Sequence, residues 1–335
     1  MFELLSTLTA APGVSGDEVS AATVAAQFLK DFGETHITPM GSLICRHAES
    51  TTDLPRILLV AHLDQIGLAV TQVTEKGFLR VAPCGGPDRR SLAGARVTVH
   101  TAFGPLPGIV CSVPPHLSNG DAKTLKIEDA AIDIGLTSER AHSLVGYGDR
   151  VTFDGPLCSL LGDRVCGAAL DDRAGCAAVI RATQLLSDCD TAALFVALVS
   201  QEETGSSGAA TSAFEIAPDW AIAVDVSMGF LPGEHSEQCG TVGGGPMVGF
   251  SPILERRLSR RFCDIARQHA IPWQTEVMAG RTGTDADVVA IAGRGVRTGL
   301  LSIPLRFMHT PSEVVALSDI ENTARLIAAV VRGGL

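Results

Sequence analysis

The chain has 335 residues, of which 46% are hydrophobic, and a formal net charge of −11. This length and composition allow one large hydrophobic core, or one core with a smaller second domain, and they exclude a largely disordered chain. Because its longest basic clusters are Arg256-Arg257 and Arg260-Arg261, the sequence predicts neither nucleic acid nor a membrane as a partner.

The N-terminal segment MFELLSTLTA lacks the features of an export signal. An acidic residue, Glu3, stands where a signal peptide has a basic one, and the sequence contains no window of about 18 uninterrupted apolar residues. The nine cysteines are scattered without a C-x-x-C pair. We interpret them as small buried side chains rather than as disulfide partners or a zinc knuckle. These features predict a cytoplasmic protein.

The first 66 residues contain signals for a helix and a strand. The pattern Ser15-Gly16-Asp17-Glu18 has the form of a capping box and predicts a helix from about Glu18 to Lys30. The apolar run from Arg56 to Val60 has the length of a strand and leads into His62 and Asp64. The first candidate site therefore lies at the end of a strand.

Residues 67–156 consist of short β-rich runs separated by turn signals such as Glu75-Lys76-Gly77, and they predict a small all-β unit. Predicted helices and strands alternate after it. They are a helix from about Asp172 to Leu186, strands Ala192 to Ser200 and Ala221 to Val226, a helix near Glu255 to His269, the strand Arg297 to Pro304, and a last helix opened by the capping box Ser318-Asp319-Ile320-Glu321. This order predicts an α/β domain of residues 1–66 and 157–335, with helices on both faces of a sheet and residues 67–156 as an insertion.

Metal-capable side chains stand at several of the predicted strand ends and before one helix. They are His62 with Asp64, Asp171 with Asp172, Glu202 with Glu203, Asp225, and His309. In open α/β sheets the carboxyl ends of strands share one edge, where ligand sites form. Each residue also has an ordinary explanation, namely a solvated strand end, a helix N-terminus, a turn cap or a structural histidine. Their order along the chain is more specific than any one of them.

Two of these pairs suggest a metal site by themselves. His62 and Asp64 are two residues apart on a strand and share a face, where the carboxylate can accept a hydrogen bond from the imidazole nitrogen that is not bound to metal. Glu202 and Glu203 are like charges beside a buried strand, which is unfavourable unless a cation lies nearby. The small residues from Thr204 to Gly208 would let the backbone turn both carboxylates toward one site.

Taken together, these segments resemble the glutamyl and deblocking aminopeptidases, the tetrahedral (TET) family of co-catalytic metallopeptidases. The matching segments are APGVSGDE at residues 11–18, AHLDQIG, GGPDRR, ALDDRAGC, QEETGSSGA, AVDVS, GGGP, GTDADVV and IPLRFMHTP. They span essentially the whole chain in the family's order. The resemblance implies a three-layer αβα catalytic domain with a mixed central sheet, and an inserted β-rich dimerisation domain that is PDZ-like or barrel-like.

The resemblance also implies a role for each candidate residue. The implied metal ligands are His62, Asp171, Glu203, Asp225 and His309. Asp171 would bridge two ions, with His62 and Asp225 completing one site. Glu203 and His309 would complete the other.

Three further residues have implied roles outside the ligand set. Glu202 would be the general base, and Asp64 would orient the ligating histidine before it. Asp172 would be structural and paired with Arg173.

The charges of this arrangement balance, because three ligand carboxylates and a bridging hydroxide offset two divalent ions. Nitrogen and oxygen ligands suit zinc, cobalt or manganese without choosing among them, and we expect two ions per subunit, with zinc as the first expectation. Such ions lower the pKa of a shared water, the nucleophile, whose proton Glu202 would carry to the leaving amine. The implied reaction removes N-terminal residues from peptides.

The family resemblance further implies self-association into dimers and tetrahedral dodecamers whose inner cavity admits peptides. The chain departs from the usual family residues at Gln65, at the turn Phe230-Leu231-Pro232-Gly233 and at Gly244. These positions bear on the substrate side and leave the preferred N-terminal residue open. A pocket for acidic residues would need a positioned base such as Arg281 or Arg306.

Three alternatives stay open at this point. One is a carboxypeptidase or N-deacylase on the same metal-site plan. Another is a glycosidase that uses Glu202 and Glu203, although glycosidase carboxyl groups lie about 5 to 10 Å apart across a sugar bond. The third is a catalytically silent assembly protein, which the complete set of candidate residues disfavours.

Overall fold

The computed structural model describes residues 1–47, 54–112, 124–235 and 239–334. The α-helices in these ranges are α1 (Phe2–Ala10), α2 (Val19–Leu29), α3 (Ser138–Leu144), α4 (Leu170–Leu185), α5 (Ser207–Ile216), α6 (Arg256–Gln268), α7 (Ala286–Val289) and α8 (Leu317–Arg332). The strands are β1 (Gly33–Ile37), β2 (Leu43–His47), β3 (Arg56–His62), β4 (Gly67–Val73), β5 (Leu79–Cys84), β6 (Arg96–Thr101), β7 (Gly104–Val110), β8 (Ala131–Asp133), β9 (Arg150–Phe153), β10 (Cys158–Ser159), β11 (Arg164–Gly167), β12 (Ala193–Val199), β13 (Trp220–Met228), β14 (Met247–Phe250), β15 (Gln274–Val277), β16 (Arg297–Leu305) and β17 (Glu313–Ala316).

The largest sheet has eight strands in the order β1-β2-β12-β3-β13-β16-β14-β15. Its four central strands, β12, β3, β13 and β16, run parallel to one another, whereas β2 and β14 pair antiparallel to β12 and β16. The central strands are almost continuous apolar runs, as expected for strands that are covered on both faces. The predicted mixed central sheet is confirmed.

Helices cover both faces of this sheet. Ile57, Leu59 and Ala61 of β3 share one core with residues of α1, α2, α4, α6 and α8. Leu58 and Val60 face the opposite side, where they pack with residues of α5 and α7. Because alternate residues of one strand point to opposite faces, these two cores define three layers. The predicted αβα arrangement is confirmed.

The segment between β3 and α4 contains a closed barrel of strands in the order β4-β5-β8-β7-β6-β9. The barrel has its own core, which includes Leu68, Val99 and Val151. A turn with Gly77 at a φ of 85° joins β4 to β5. The barrel confirms the predicted β-rich unit, but the expectation of an all-β unit was wrong because α3 lies within it. Thr137 caps that helix by accepting a hydrogen bond from the Arg140 N–H.

Both predicted capping boxes were wrong, although the helices lie where they were expected. Glu18 precedes α2 without a side-chain cap, and its carboxylate accepts hydrogen bonds from the N–H groups of Gly16 and Gln201 instead. Ser318 lies inside α8, and its hydroxyl bonds to the Asp163 carboxylate. In each case the side chain bonds to a residue far away in the sequence, Gln201 or Asp163, and does not cap the helix.

The prediction of buried cysteines is only partly correct. Within the described ranges, the buried cysteines are Cys45, Cys84, Cys176, Cys189 and Cys263, whereas Cys158 on β10 is exposed. Cys158 lies on a two-residue strand that pairs only with β11 among the described strands, and Cys111, Cys166 and Cys239 are half-buried. In a separate observation, none of the helices described is both long and apolar enough to cross a membrane.

Candidate active site

The candidate residues meet in a cleft at the carboxyl edge of the central parallel strands. The cleft has a volume of about 450 Å³, and its lining includes His62, Asp171, Glu202, Glu203, Asp225 and His309. His62 ends β3, and the two glutamates follow β12 in the next loop. The sequence predicted that the strand carrying Asp225 ends near it, but β13 continues to Met228. Asp225 therefore reaches the cleft from within a strand.

Asp171 lies between the two histidines. Its Oδ1 is 3.0 Å from His62 Nε2, and its Oδ2 is 3.4 Å from His309 Nε2. Asp225 Oδ1 lies 3.8 Å from His62 Nε2, and Glu203 Oε1 lies 3.3 Å from His309 Nε2. The five residues thus form two groups that share Asp171.

Both imidazole rings present Nε2 to these carboxylates. On the far side of the ring, His62 Nδ1 lies 3.1 Å from the Asp64 carbonyl oxygen, and His309 Nδ1 lies 2.9 Å from the Gly86 carbonyl oxygen. A carbonyl only accepts hydrogen bonds, so each contact requires a proton on Nδ1 and leaves Nε2 to face the cluster. This is the tautomer that a metal ligand needs.

Asp64 holds the loop of the two glutamates. Its carboxylate accepts hydrogen bonds from the N–H of Glu202 at 2.9 Å, from the N–H of Glu203 at 3.2 Å and from the Ser15 hydroxyl at 2.5 Å. The sequence predicted that this carboxylate orients His62, but it lies 3.5 Å from Nδ1, farther than the Asp64 carbonyl oxygen. Asp64 therefore contacts His62 through both its backbone and its side chain, and it also positions the glutamate pair.

The backbone turn at the glutamate pair begins earlier than predicted. Gln201 has a left-handed φ of 59°, so the chain turns directly before Glu202. The glycines that follow were expected to provide this turn. Gly208 has another use, because a Cβ there would lie 2.4 Å from the Ser200 carbonyl oxygen. It is needed for the close approach of α5 to the end of β12.

Asp172 and Arg173 do not pair as predicted. Asp172 accepts hydrogen bonds from the N–H of Gly175 at 2.9 Å and the N–H of His62 at 3.3 Å, which supports its predicted structural role. The buried Arg173 guanidinium instead donates to backbone carbonyls, including that of Leu63 at 2.8 Å and that of Leu8. The acceptors come from two chain segments, the end of α1 and the residue after His62, and Arg173 Nη2 is buried without a hydrogen-bond partner.

Burial and crowding of carboxylates shift the pKa values in the cleft. Burial, together with the charges of Glu203 and Asp171, raises the pKa of Glu202 to about 7. Burial and the charge of Asp172 raise the pKa of Asp225 well above its usual value. The neighbouring carboxylates of Asp171 and Glu203 raise the pKa of His309 to about 11. The cleft therefore attracts cations strongly, and a metal ion that binds these atoms has to displace protons.

Two supporting carboxylates were missed by the sequence reasoning. Glu313, buried on β17, accepts hydrogen bonds from the N–H groups of Leu170, Asp171 and His309 at 2.8, 3.1 and 2.8 Å. Glu313 thus fixes the backbone at Asp171, the candidate bridging residue, and at His309. The available signal was a glutamate that starts the otherwise apolar strand EVVA. The second carboxylate is Glu18, which the sequence suggested only as part of a capping box. Its carboxylate accepts a hydrogen bond from the N–H of Gln201, the residue before Glu202.

The donor atoms of the cleft fit a pair of metal ions. The groups His62–Asp171–Asp225 and Asp171–Glu203–His309 each bring one ligand atom per residue to within 4.8 Å of the others. Glu203 Oε1 is buried and makes no hydrogen bond, even though it lies 3.3 Å from His309 Nε2. A buried acceptor without a donor is costly unless a cation satisfies it. Carboxylate and imidazole donors suit zinc, cobalt or manganese.

Fold and cleft together define an α/β protein with a candidate dinuclear metal centre. A family model described as M42 glutamyl aminopeptidase matches residues 41–326, so the chain belongs to this family. It is 36% identical to a putative aminopeptidase of Acetivibrio thermocellus over 99% of this chain and 98% of the relative. It is 32% identical to the lysyl aminopeptidase of Pyrococcus furiosus over 98% and 96% of the two chains.

A solved structure extends this finding to the whole fold. The TET1 peptidase of Pyrococcus horikoshii, which can assemble into a tetrahedron or a large octahedral shell, matches with a TM-score of 0.88 and 34% identity, covering 98% of both chains. The predicted family and the predicted combination of αβα domain and barrel are confirmed. The chain is an aminopeptidase of the M42 family, and so a peptide hydrolase, as predicted.

Proposed function

We propose that this chain is a metal-dependent aminopeptidase that removes residues from the N-termini of peptides at a dinuclear centre. The position of Asp171 carries the proposal, because its two carboxylate oxygens face His62 Nε2 at 3.0 Å and His309 Nε2 at 3.4 Å. One carboxylate between two ligand groups is what a bridging ligand requires.

In this proposal His62 and Asp225 complete one metal position. Glu203 and His309 complete the other. We propose two divalent ions per subunit, zinc first, with cobalt and manganese as alternatives. When bound, such a pair polarises the scissile carbonyl group and acidifies a water in the cleft.

Glu202 is proposed as the general base. It lines the same cleft as the ligand candidates but belongs to neither ligand group. Its backbone N–H is held by the Asp64 carboxylate, so the point from which the side chain extends into the cleft is fixed. Burial raises its pKa to about 7, which suits a group that accepts a proton and later releases it. Glu202 would take the proton of the attacking water and deliver it to the leaving amine.

We also propose that residues 1–66 and 157–335 form the catalytic domain and that the insertion, residues 67–156, mediates dimerisation and higher assembly. Large apolar side chains on the insertion are exposed, with Phe103 at 75% and Tyr147 at 85%, and such surface supports a contact between copies. Light scattering on the purified protein tests this assembly. A cytoplasmic location remains a prediction.

The variants Glu202→Gln and Asp171→Asn test the division of roles. We expect Glu202→Gln to lower kcat by about 10²- to 10⁴-fold while two metal ions per chain remain bound. Asp171→Asn should lose both ions. The measurements are hydrolysis of aminoacyl-p-nitroanilides and metal content by mass spectrometry. Retained turnover in Glu202→Gln removes it from the base role, and two retained ions in Asp171→Asn contradict the bridge.

The substrate requirement separates this proposal from the related hydrolases. An aminopeptidase needs the free α-amine, so the metal-loaded enzyme should cleave aminoacyl-p-nitroanilides and leave N-acyl amino acids intact. A chelator should abolish the activity, and added zinc, cobalt or manganese should restore it. The reverse preference would identify an N-deacylase or carboxypeptidase on the same site. Activity that resists the chelator contradicts the metal-dependent mechanism.

A further inference from the structure

The cleft of the candidate metal centre also contains Glu276, a carboxylate outside both ligand groups. We propose that Glu276 selects substrates whose N-terminal residue is lysine or arginine by pairing with the cation of that side chain. This inference rests on the proposed aminopeptidase function and names its substrate class.

Two hydroxyl groups hold Glu276 in place. The Ser227 hydroxyl donates to Oε1 at 2.5 Å, and the Ser302 hydroxyl donates to Oε2 at 2.7 Å. Each carboxylate oxygen accepts one of these bonds and keeps a second lone pair for another donor. Glu276 is thus fixed in orientation but still able to receive a cation, as a specificity residue must be.

The two serines place Glu276 close to the candidate metal centre. Ser302 on β16 is the register partner of Asp225 on β13, and neighbouring strands are about 4.8 Å apart. Ser227 follows Asp225 by two residues on the same strand, so both point to the same face, about 6.6 Å apart along the strand. Glu276 is therefore anchored to residues that flank a metal ligand.

Apolar residues also line the same cleft. They are Met228, Met278, Leu300 and Met308. Methionine side chains adapt to ligands of different shape, and an apolar wall suits the methylene stem of lysine or arginine. A site with apolar walls and a fixed carboxylate matches a side chain that is apolar along its length and cationic at its end.

The charges of the cleft argue against an acidic N-terminal residue. Within the described parts of the chain, the lining of this cleft contains no lysine or arginine. Of the two bases considered from the sequence, Arg281 is 77% exposed and lies 3.8 Å from Asp287. Arg306 donates to the Phe230 carbonyl oxygen. A glutamyl side chain would therefore meet Glu276 without a compensating cation.

The test compares lysine with norleucine as the N-terminal residue, because both have a four-carbon stem and only lysine carries a charge. The metal-loaded enzyme is assayed on p-nitroanilides of lysine, arginine, norleucine and glutamate. We expect a higher kcat/KM for lysine and arginine than for norleucine, a difference that shrinks with added salt because salt screens charge pairs. Glutamate should be the poorest substrate.

The variant Glu276→Gln isolates the carboxylate. Its amide retains the size of the side chain and can still bond to the two serine hydroxyls. We expect kcat/KM for lysine and arginine to fall about 10- to 100-fold, with kcat/KM for norleucine and the metal content nearly unchanged. Glu75→Gln, at an exposed turn of the barrel, serves as the matched control and should leave every substrate unaffected.

The possible outcomes separate this proposal from the general one. An unchanged ratio of lysine to norleucine in Glu276→Gln overturns it, as does a wild-type preference for norleucine or glutamate. An equal loss on lysine and norleucine shows a structural role and also overturns it. If the metal-loaded wild type cleaves no aminoacyl-p-nitroanilide, the aminopeptidase proposal itself fails. Cleavage of norleucine without preference for lysine refutes only the role of Glu276.

Discussion

Asp64 offers the sharpest test of how the cleft is organised, because asparagine has the same shape but fewer acceptors. The Asp64 carboxylate is fully buried and accepts hydrogen bonds from the N–H of Glu202, the N–H of Glu203 and the Ser15 hydroxyl. In Asp64→Asn, an NH₂ group replaces one of the two oxygens. The Ser15 hydroxyl can rotate and accept a hydrogen bond instead, whereas a backbone N–H cannot.

The cost follows from this geometry. If the NH₂ group takes the place of Oδ1, it faces the Glu202 N–H, and if it takes the place of Oδ2, it faces the Glu203 N–H. Either way, one buried N–H loses its acceptor, which costs about 1 to 3 kcal/mol. A folded domain has about 5 to 15 kcal/mol of stability, so we expect Asp64→Asn to fold with a lower free energy of unfolding.

The functional effect should exceed that of a comparable surface change. Displacing the glutamate loop moves both the proposed base and a proposed ligand, and changes of this kind lower activity or metal affinity about 10- to 100-fold. The measurements are kcat/KM on a p-nitroanilide, metal affinity by competition titration, and urea unfolding. Asp31→Asn at an exposed position is the control. Wild-type activity and metal affinity in Asp64→Asn would refute the reasoning.

Two further carboxylates give predictions of the same kind. Glu313→Gln must place its NH₂ group against the N–H of His309 or against those of Leu170 and Asp171, so we expect metal affinity to fall about 10- to 100-fold; an unchanged titration would contradict this. Burial raises the pKa of Glu18 from 4.5 to about 7. Between these pH values the folded state keeps a proton that the unfolded state has lost, so the free energy of unfolding falls as the pH rises. Glu18→Gln should remove that loss, and its Tm relative to wild type should rise between pH 5 and pH 8, whereas a constant difference would argue against it.

The candidate residues could be picked out because most of them stand where an apolar run of strand length ends, and the family resemblance then implied which of them are ligands. Apolar runs of strand length lead into His62 and the glutamate pair, and Asp225 interrupts another such run. The parallel arrangement of those strands places their carboxyl ends at one edge. The predicted ligands and Glu202 therefore lie together in one cleft. Their individual roles remain predictions that the variants test.

The two capping-box predictions were wrong for a different reason. Ser15, Glu18 and Ser318 were interpreted through neighbours three residues away, as a capping box requires. In the folded chain their side chains bond to Asp64, Gln201 and Asp163 instead. A local pattern cannot reveal these bonds, since the same residue types serve both purposes.

The sequence by itself determined which side chains are available for chemistry and the layered α/β fold that collects them. Only the tertiary structure decided what holds them and what lies beside them. Glu313 accepts a hydrogen bond from the N–H of Leu170, although the two residues are 143 positions apart. Glu276 lines the cleft from β15, the edge strand of the sheet. The physical reason is that a buried polar group bonds to whichever partner the packing of distant segments brings within about 3 Å.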